Sequence, residues 1–332
     1  MSSAFQALVV ENADTFSVAV KDVSLDQLPA GEVLIRVAYS SVNYKDGLAC
    51  IPDGKILKSY PFIPGIDLAG HVVSSADSRF REGQPILATG YGIGVTHYGG
   101  FSEYARLPAD WVVPLPDGLS LREAMIYGTA GFTAALSIER LEENGLSPDK
   151  GDVLVTGATG GVGGAAIAML SKKGYRVVAS TGKPEAAAYL RSLGAAEVIS
   201  REDTAGSGGK PLNKQRWQAA VDSVGGSSLA AILSQIAYGG SVAASGLTGG
   251  TAVPATVFPF ILRGVNLLGI DSVFCPADRR RSLWARMAGD LKPHNLEALV
   301  HREVSLQELP QALSDILNAN HKGRTILRLS AS

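Results

Sequence analysis

The sequence predicts an α/β protein of two domains, a compact β-rich domain of the barrel kind and a doubly wound parallel sheet. Three observations carry that prediction. Between about residues 4 and 125, short β-branched runs stand between turn signals, and from about 126 helix and strand patterns alternate. Within the second part, Val153-Leu-Val-Thr-Gly157-Ala-Thr-Gly160-Gly161-Val-Gly163-Gly164 turns an apolar run through glycines into an alanine-rich segment. With 332 residues, 46% apolar and 18% charged, the chain is long and apolar enough for two cores.

Taken in order, strands are expected at 32–39, 68–74, 85–89, 101–107 and 111–114, a spacing that suits a small β domain. A long helix over 125–142 leads into six strands near 153–157, 176–180, 197–200, 218–222, 240–246 and 265–270, with helical segments between most of them. The segment Ala205-Gly-Ser-Gly-Gly-Lys-Pro reads as a surface loop by composition. A helix rich in Arg and Leu over 277–291 follows, with Arg279-Arg280-Arg281 read as its wet face. Then come a strand at 301–305, a helix at 306–320 and a last strand at 325–329. A β-type ending after an α/β middle returns the tail to the first domain, so the domains are 1–125 with 271–332, and 126–270.

The glycine run reads as a dinucleotide seat, the alternative being a glycine-rich helix–strand contact with no ligand. Strand, tight turn and helix start present backbone N–H groups at Thr159, Gly160, Gly161 and Val162, and the positive end of a helix dipole, to a pyrophosphate. No Lys-Ser or Lys-Thr pair follows the last glycine, which argues against an ATPase phosphate loop. At the end of the next strand an NAD reader would carry Asp or Glu. This chain has Ser180-Thr181-Gly182-Lys183 instead. Two hydroxyls and an ammonium can hold a 2′-phosphate that a carboxylate would repel, so NADPH is expected. Arg201, just past the third strand, is a second candidate for the same phosphate. The bland alternative is that Lys183 is a solvated charge opening the next helix.

A net charge of −1 offers no footprint for nucleic acid. The N-terminal residues lack a signal-peptide pattern and no window is apolar enough to span a bilayer, so a cytoplasmic protein without membrane contact is expected. Only Cys50 and Cys275 are present, which argues against disulfides and against a cysteine-built metal site. His71, His97, His294, His301 and His321 are scattered, without partners at ligand spacing.

Over nearly its whole length the chain resembles the medium-chain dehydrogenase/reductase superfamily. The match rests on Ser41-Val-Asn43-Tyr44-Lys45-Asp46, Pro64-Gly65-Ile-Asp67-Leu-Ala-Gly70, Thr156 to Gly164, and Gly323-Arg-Thr. Asn43 to Gly47, Gly90-Tyr91-Gly92 and Phe258-Pro-Phe-Ile-Leu-Arg263 are similar to the acrylyl-CoA reductase branch, also called the YhdH/YhfP type of quinone oxidoreductase. The resemblance implies a GroES-like β-barrel catalytic domain, a Rossmann cofactor domain and a homodimer. It also implies zinc-free chemistry, because the cysteine and Gly-His-Glu ligands of the alcohol dehydrogenases are missing from the segments matching Val42 to Asp46 and Gly65 to Asp67.

Without a metal, conjugate addition is the easiest use of a nicotinamide hydride, since an α,β-unsaturated thioester or a quinone already spreads negative charge onto oxygen. Hydride is then expected to reach the β-carbon of a short enoyl-CoA, such as acrylyl-CoA, and a proton its α-carbon. From the resemblance, Tyr44 is the proton donor or a holder of nicotinamide or substrate. Asn43 either bonds an oxyanion or the cofactor carboxamide, or is a turn residue. Asp67 orients water or a partner side chain. Asp46 bonds the following segment, with Lys45 as a candidate counter-charge for one of the two carboxylates. Thr129, Leu247, Ser272 and Asn318 are implied cofactor contacts. A CoA thioester needs basic groups, for which Lys55, Lys58 and Arg263 are candidates; a quinone does not. The alternatives are an NADPH:quinone oxidoreductase and a non-catalytic NADPH-binding sensor. The apolar strand at 265–270 would be an exposed edge unless it meets a second subunit.

Overall fold

The computed structural model describes residues 4–205, 210–318 and 322–329. Most of the loop read from composition, His321 and the end of the last expected helix lie outside the described residues. The chain divides into two compact units, Met1–Thr129 with Val273–Ala285 and Val300–Ser332, and Ala130–Ser272 with Arg286–Leu299.

The first unit opens with the antiparallel pair β1 (Ala4–Asn12) and β2 (Phe16–Ser24). Next come β3 (Val33–Ser41), the short α1 (Tyr44–Ala49), β4 (Asp67–Ser75), β5 (Pro85–Thr89), β6 (Tyr104–Leu107) and β7 (Val113–Pro114). Helix α2 (Leu121–Glu143) carries the chain into the second unit. There β8 (Val153–Val155), α3 (Gly161–Lys172), β9 (Val177–Thr181), α4 (Ala187–Ser192) and β10 (Glu197–Ser200) are followed by β11 (Trp217–Asp222), α5 (Gly226–Leu233), β12 (Ile236–Ala244), α6 (Phe258–Arg263) and β13 (Asn266–Gly269). The tail adds α7 (Ala277–Ala288), β14 (Val300–Val304), α8 (Leu309–Leu317) and β15 (Arg324–Arg328).

In the first unit a mixed sheet runs β14-β15-β3-β4-β5-β7, with β6 also on β3. Val33, Ile35, Val37, Leu68, Ile86 and Leu107 supply its buried face. The tail does return: β15 lies antiparallel to β3 with Ile326 opposite Ser41. In the second unit all six strands are parallel, in the order β10-β9-β8-β11-β12-β13. That is the doubly wound order, and its central strand β8 is wholly apolar and buried, as expected where helices cover both faces. Among the described residues strand β13 pairs only with β12, at one end of the sheet order.

Three expectations need correction. The helix expected over 125–142 is broken at Gly128, whose φ of 51° and ψ of −155° are not helical. The Arg279–Arg281 run is not wholly wet. Arg280 is fully buried, donating to the Thr89 carbonyl at 2.9 Å, the Thr89 hydroxyl at 3.0 Å and the Val273 carbonyl at 3.1 Å, with its guanidinium over the Tyr91 ring. Residues 286–299 belong with the second unit rather than the first. Arg286 holds them there through Glu142 at 2.9 Å, Asp290 pairs with Lys173 at 3.0 Å, and Leu299 packs beside Gly164. Among the described residues no helix is long and apolar enough to cross a membrane.

Candidate active site

The motifs quoted from the first unit converge on one buried polar network. Strand β4 begins at Asp67, which is fully buried. Its Oδ2 accepts from Ser41 Oγ at 2.5 Å, Asn43 Nδ2 at 2.7 Å and the Thr129 N–H at 2.9 Å, and its Oδ1 accepts from Thr129 Oγ1 at 2.5 Å. On the far side, the buried guanidinium of Arg324 donates to Ser41 Oγ at 2.8 Å, Asn43 Oδ1 at 3.2 Å and the Ile126 carbonyl at 3.0 Å. The Asn43 amide therefore has one orientation, oxygen to the cation and nitrogen to the carboxylates. Charge balance explains the burial: a carboxylate without water needs donors and a nearby positive charge. Arg324 supplies that charge. Lys45, the candidate proposed from sequence, is half-buried and makes no ion pair among the described residues.

Asn43 ends the extended segment before α1, and Asp46 sits at the third residue of that helix. Asp46 accepts the Asn43 N–H at 2.8 Å and the Ile66 N–H at 2.9 Å, which ties the start of α1 to the segment before β4. Burial, then the Asp67 charge, push its carboxyl up to about 7. Burial and Asp46 likewise push the Cys50 thiol up to about 12, so it stays a protonated, unreactive thiol. Tyr44 opens α1 about half exposed, its hydroxyl without a partner among the described residues.

In the second unit the apolar strand β8 leads into the glycine turn. Gly157 has φ 56°, and a Cβ there would lie 2.4 Å from Ser223 Oγ, so only glycine fits the bend. The Gly160 N–H donates to the Gly157 carbonyl at 2.9 Å, which closes the turn and leaves the Gly161 and Val162 N–H groups at the first turn of α3. Thr159, Ser180, Thr181, Gly182, Lys183 and Arg201 line one pocket. Arg201 reaches it because β10 pairs with β9, Ser200 beside Thr181. Its guanidinium lies over Gly182, 2.7 Å from where a side chain would start. Thr181 Oγ1 accepts the Lys183 N–H at 3.0 Å, which leaves its own proton free to donate.

Comparison with known proteins gives this geometry a family. Residues 29–117 match the alcohol dehydrogenase GroES-like domain and residues 161–288 the zinc-binding dehydrogenase model. The chain is 50% identical to acrylyl-CoA reductase AcuI of Ruegeria pomeroyi, over 98% of its own length and all of that protein. Among solved structures, Bacillus subtilis protein yhfP with NAD bound is 64% identical, with a TM-score of 0.97 over 99% of this chain and 100% of that one. The yhdH oxidoreductase of Salmonella enterica in complex with NADP is 48% identical, with a TM-score of 0.95 over 98% and 100%. The chain belongs to the YhdH/YhfP/AcuI family of the medium-chain dehydrogenase/reductase superfamily. It is an oxidoreductase, with a GroES-like domain and a Rossmann-like parallel sheet.

One family model is named for zinc binding, so the residues at the positions of zinc ligands decide whether this chain fits that ion. Where zinc enzymes keep ligands, Asn43 and Asp67 bond each other, and the Arg324 cation joins them through Ser41. A donor set of amide, spent carboxylate and guanidinium does not fit Zn²⁺. Among the described residues no group of three His, Cys, Asp or Glu is placed to hold a metal ion.

The remaining candidates are dispersed. In the first unit Thr129 is held by Asp67 through both its N–H and its hydroxyl, and Asn318 ends α8, lining a pocket with Gly47 and Cys50. In the second, Leu247 is exposed beyond β12 and Ser272 is half-buried. Arg263 is not free for a CoA phosphate, since it donates to the carbonyls of Asn213 at 2.6 Å, Ser234 at 2.8 Å and Ile236 at 3.3 Å. Sequence reasoning quoted Ser41 and Arg324 within motifs but gave them no role, and it missed Val224 and Ser228, which also line the dinucleotide pocket. A buried arginine beside a terminal strand has no local signal; only pairing with β3 reveals it.

Proposed function

We propose that the chain is an NADPH-dependent reductase of activated C=C bonds, with short enoyl-CoA thioesters such as acrylyl-CoA as substrate and a cytoplasmic place of work. The observation that carries this reading is the self-bonded anchor of Asp67, Asn43 and Arg324, which offers no seat for a Lewis acid and suits a substrate whose conjugation already disperses charge. The name of the AcuI relative supports the thioester class. The Lys183 and Arg201 cations beside the Ser180 and Thr181 hydroxyls support a 2′-phosphate.

When bound, NADPH supplies the hydride that adds to the β-carbon. The Gly161 and Val162 N–H groups receive the pyrophosphate at the start of α3. Thr129, its proton committed to Asp67, has only lone pairs left to offer and accepts an N–H from the nicotinamide carboxamide. Leu247, Ser272 and Asn318 are further cofactor contacts in this reading. Tyr44 donates the proton to the α-carbon, and its exposure lets water reprotonate it. Asp67 and Asn43 act behind it by fixing the start of α1. Two copies pair through the β13 edge, where Leu267 is exposed and Ile261 and Leu262 of α6 add apolar surface.

The test measures NADPH and NADH oxidation with acrylyl-CoA for the wild type, Tyr44→Phe and Lys183→Ala/Arg201→Ala. Expected are a preference for NADPH that the double variant loses through KM, and a kcat loss of at least tenfold in Tyr44→Phe. Turnover of quinones but not enoyl-CoA would replace the substrate class, and no turnover of either would favour a sensor. Full kcat in Tyr44→Phe would remove the phenol as donor.

A further inference from the structure

Asp222 ends β11 fully buried, on no list of expected site residues, and no ion pair to it occurs among the described residues. Its Oδ1 accepts from Thr156 Oγ1 at 2.6 Å and its Oδ2 from the Gly225 N–H at 2.8 Å. Thr156 Oγ1 in turn accepts the Ser223 N–H at 3.3 Å, and Ser223 Oγ donates to the Thr156 carbonyl at 3.2 Å. The main-chain carbonyl of Asp222 takes the Ser245 N–H at 2.9 Å. One residue thereby joins three loops at the carboxyl edge of the parallel sheet: the glycine turn after β8, the 223–226 loop after β11 and the start of the loop after β12.

The first two loops supply Thr156, Gly157 and Val224 to the dinucleotide pocket, and α5, which follows the second loop, supplies Ser228. A negative charge behind an anion-binding turn opposes binding electrostatically, and burial without a cation is costly. What the carboxylate gains is geometry, because its two oxygens accept from two donors on different loops. We infer that Asp222 is a positioning residue of the cofactor seat, holding Thr156 and the Gly157 bend against the Val224–Gly225 loop so that both present a preformed surface to NADPH. This rests on the NADPH reading of that pocket.

The chemistry of substitution makes the inference testable. In Asp222→Asn the single amide oxygen can serve Gly225, whose N–H cannot turn, so the NH2 faces Thr156. Its hydroxyl must then accept from the amide as well as from the Ser223 N–H, and its own proton loses the Asp222 acceptor. NADPH affinity would be measured by isothermal titration and steady-state KM for the wild type, Asp222→Asn, Thr156→Val, Thr156→Ser and the Thr156→Val/Asp222→Asn double variant. Expected are a tenfold or larger rise in Kd and KM for NADPH in Asp222→Asn and Thr156→Val, with the loss in KM rather than kcat. Thr156→Ser should restore affinity, and the double variant should be no worse than Asp222→Asn alone. If the wild type binds NADPH and both Asp222→Asn and Thr156→Val bind it equally well, the inference is wrong while the cofactor reading stands. A wild type that binds no nicotinamide dinucleotide overturns both. Should Asp222→Asn not fold, the Thr156→Val and Thr156→Ser pair decides by itself.

Discussion

Replacing Gly128 by alanine tests how tightly the buried anchor is built. At φ 51° and ψ −155° the backbone lies where only glycine is at ease, and a side chain there costs about 1–3 kcal/mol. The added Cβ would stand 2.4 Å from Ser41 Oγ, 2.5 Å from Asp67 Oδ2 and 2.8 Å from Arg324 Nη2. Ser41 can rotate away. Asp67 cannot retreat without lengthening its bonds to Asn43 at 2.7 Å and the Thr129 N–H at 2.9 Å, and losing one buried charged bond costs about 1.5–3 kcal/mol. Gly128→Ala is thus expected to destabilise by about 3–6 kcal/mol, a large share of a typical stability of about 5–15 kcal/mol. Gly83→Ala is the control, since it shares a positive φ of 76° but a Cβ there meets nothing within 4 Å. Both variants lie in the first unit, so urea unfolding followed by tryptophan fluorescence compares them on one transition. The difference between them isolates the steric part, and kcat for NADPH oxidation should fall only in Gly128→Ala. Equal stability losses in the two variants would refute the close packing of the anchor.

Two further outcomes follow from the charges. Asp46 has its folded value near 7, above its ordinary 3.8, so the folded state holds an extra proton between those limits. The stability it contributes is present below about pH 4 and lost as pH rises through 7; Asp46→Asn should remove that slope from urea stabilities measured across the range, and an unchanged slope contradicts the assignment. Arg286 is about one-quarter exposed and its partner Asp290 more so, hence Arg286→Ala should cost only about 1 kcal/mol, with the loss shrinking in high salt. A loss unaffected by salt would mean that packing, not charge, fastens residues 286–299.

Much of this protein was legible in its residues because the relevant physics is local. Strands β8 and β9 read as apolar runs since a parallel sheet covered on both faces buries every side chain. The bend at Gly157, and Ser180 to Lys183 at the next strand end, lie within a few residues of the elements they serve. Arg201 was only a candidate, because its arrival over Gly182 depends on β9 and β10 pairing in register.

The rest depends on meetings between distant segments. Arg324 lies 281 residues from Asn43 in sequence, and no periodicity near residue 324 says that a guanidinium there faces a buried amide. The helical pattern runs unbroken through Gly128; only the tertiary structure shows the break there, where Ser41, Asp67 and Arg324 leave no room for a side chain. Likewise Arg280 looks like its neighbours until Thr89 and Val273 claim it. Sequence alone determined the doubly wound order of strand and helix and the glycine turn after β8, since backbone periodicity and side-chain type are properties of short segments. Tertiary structure decided which charges are buried and what they hold, because burial depends on what lies across the contact.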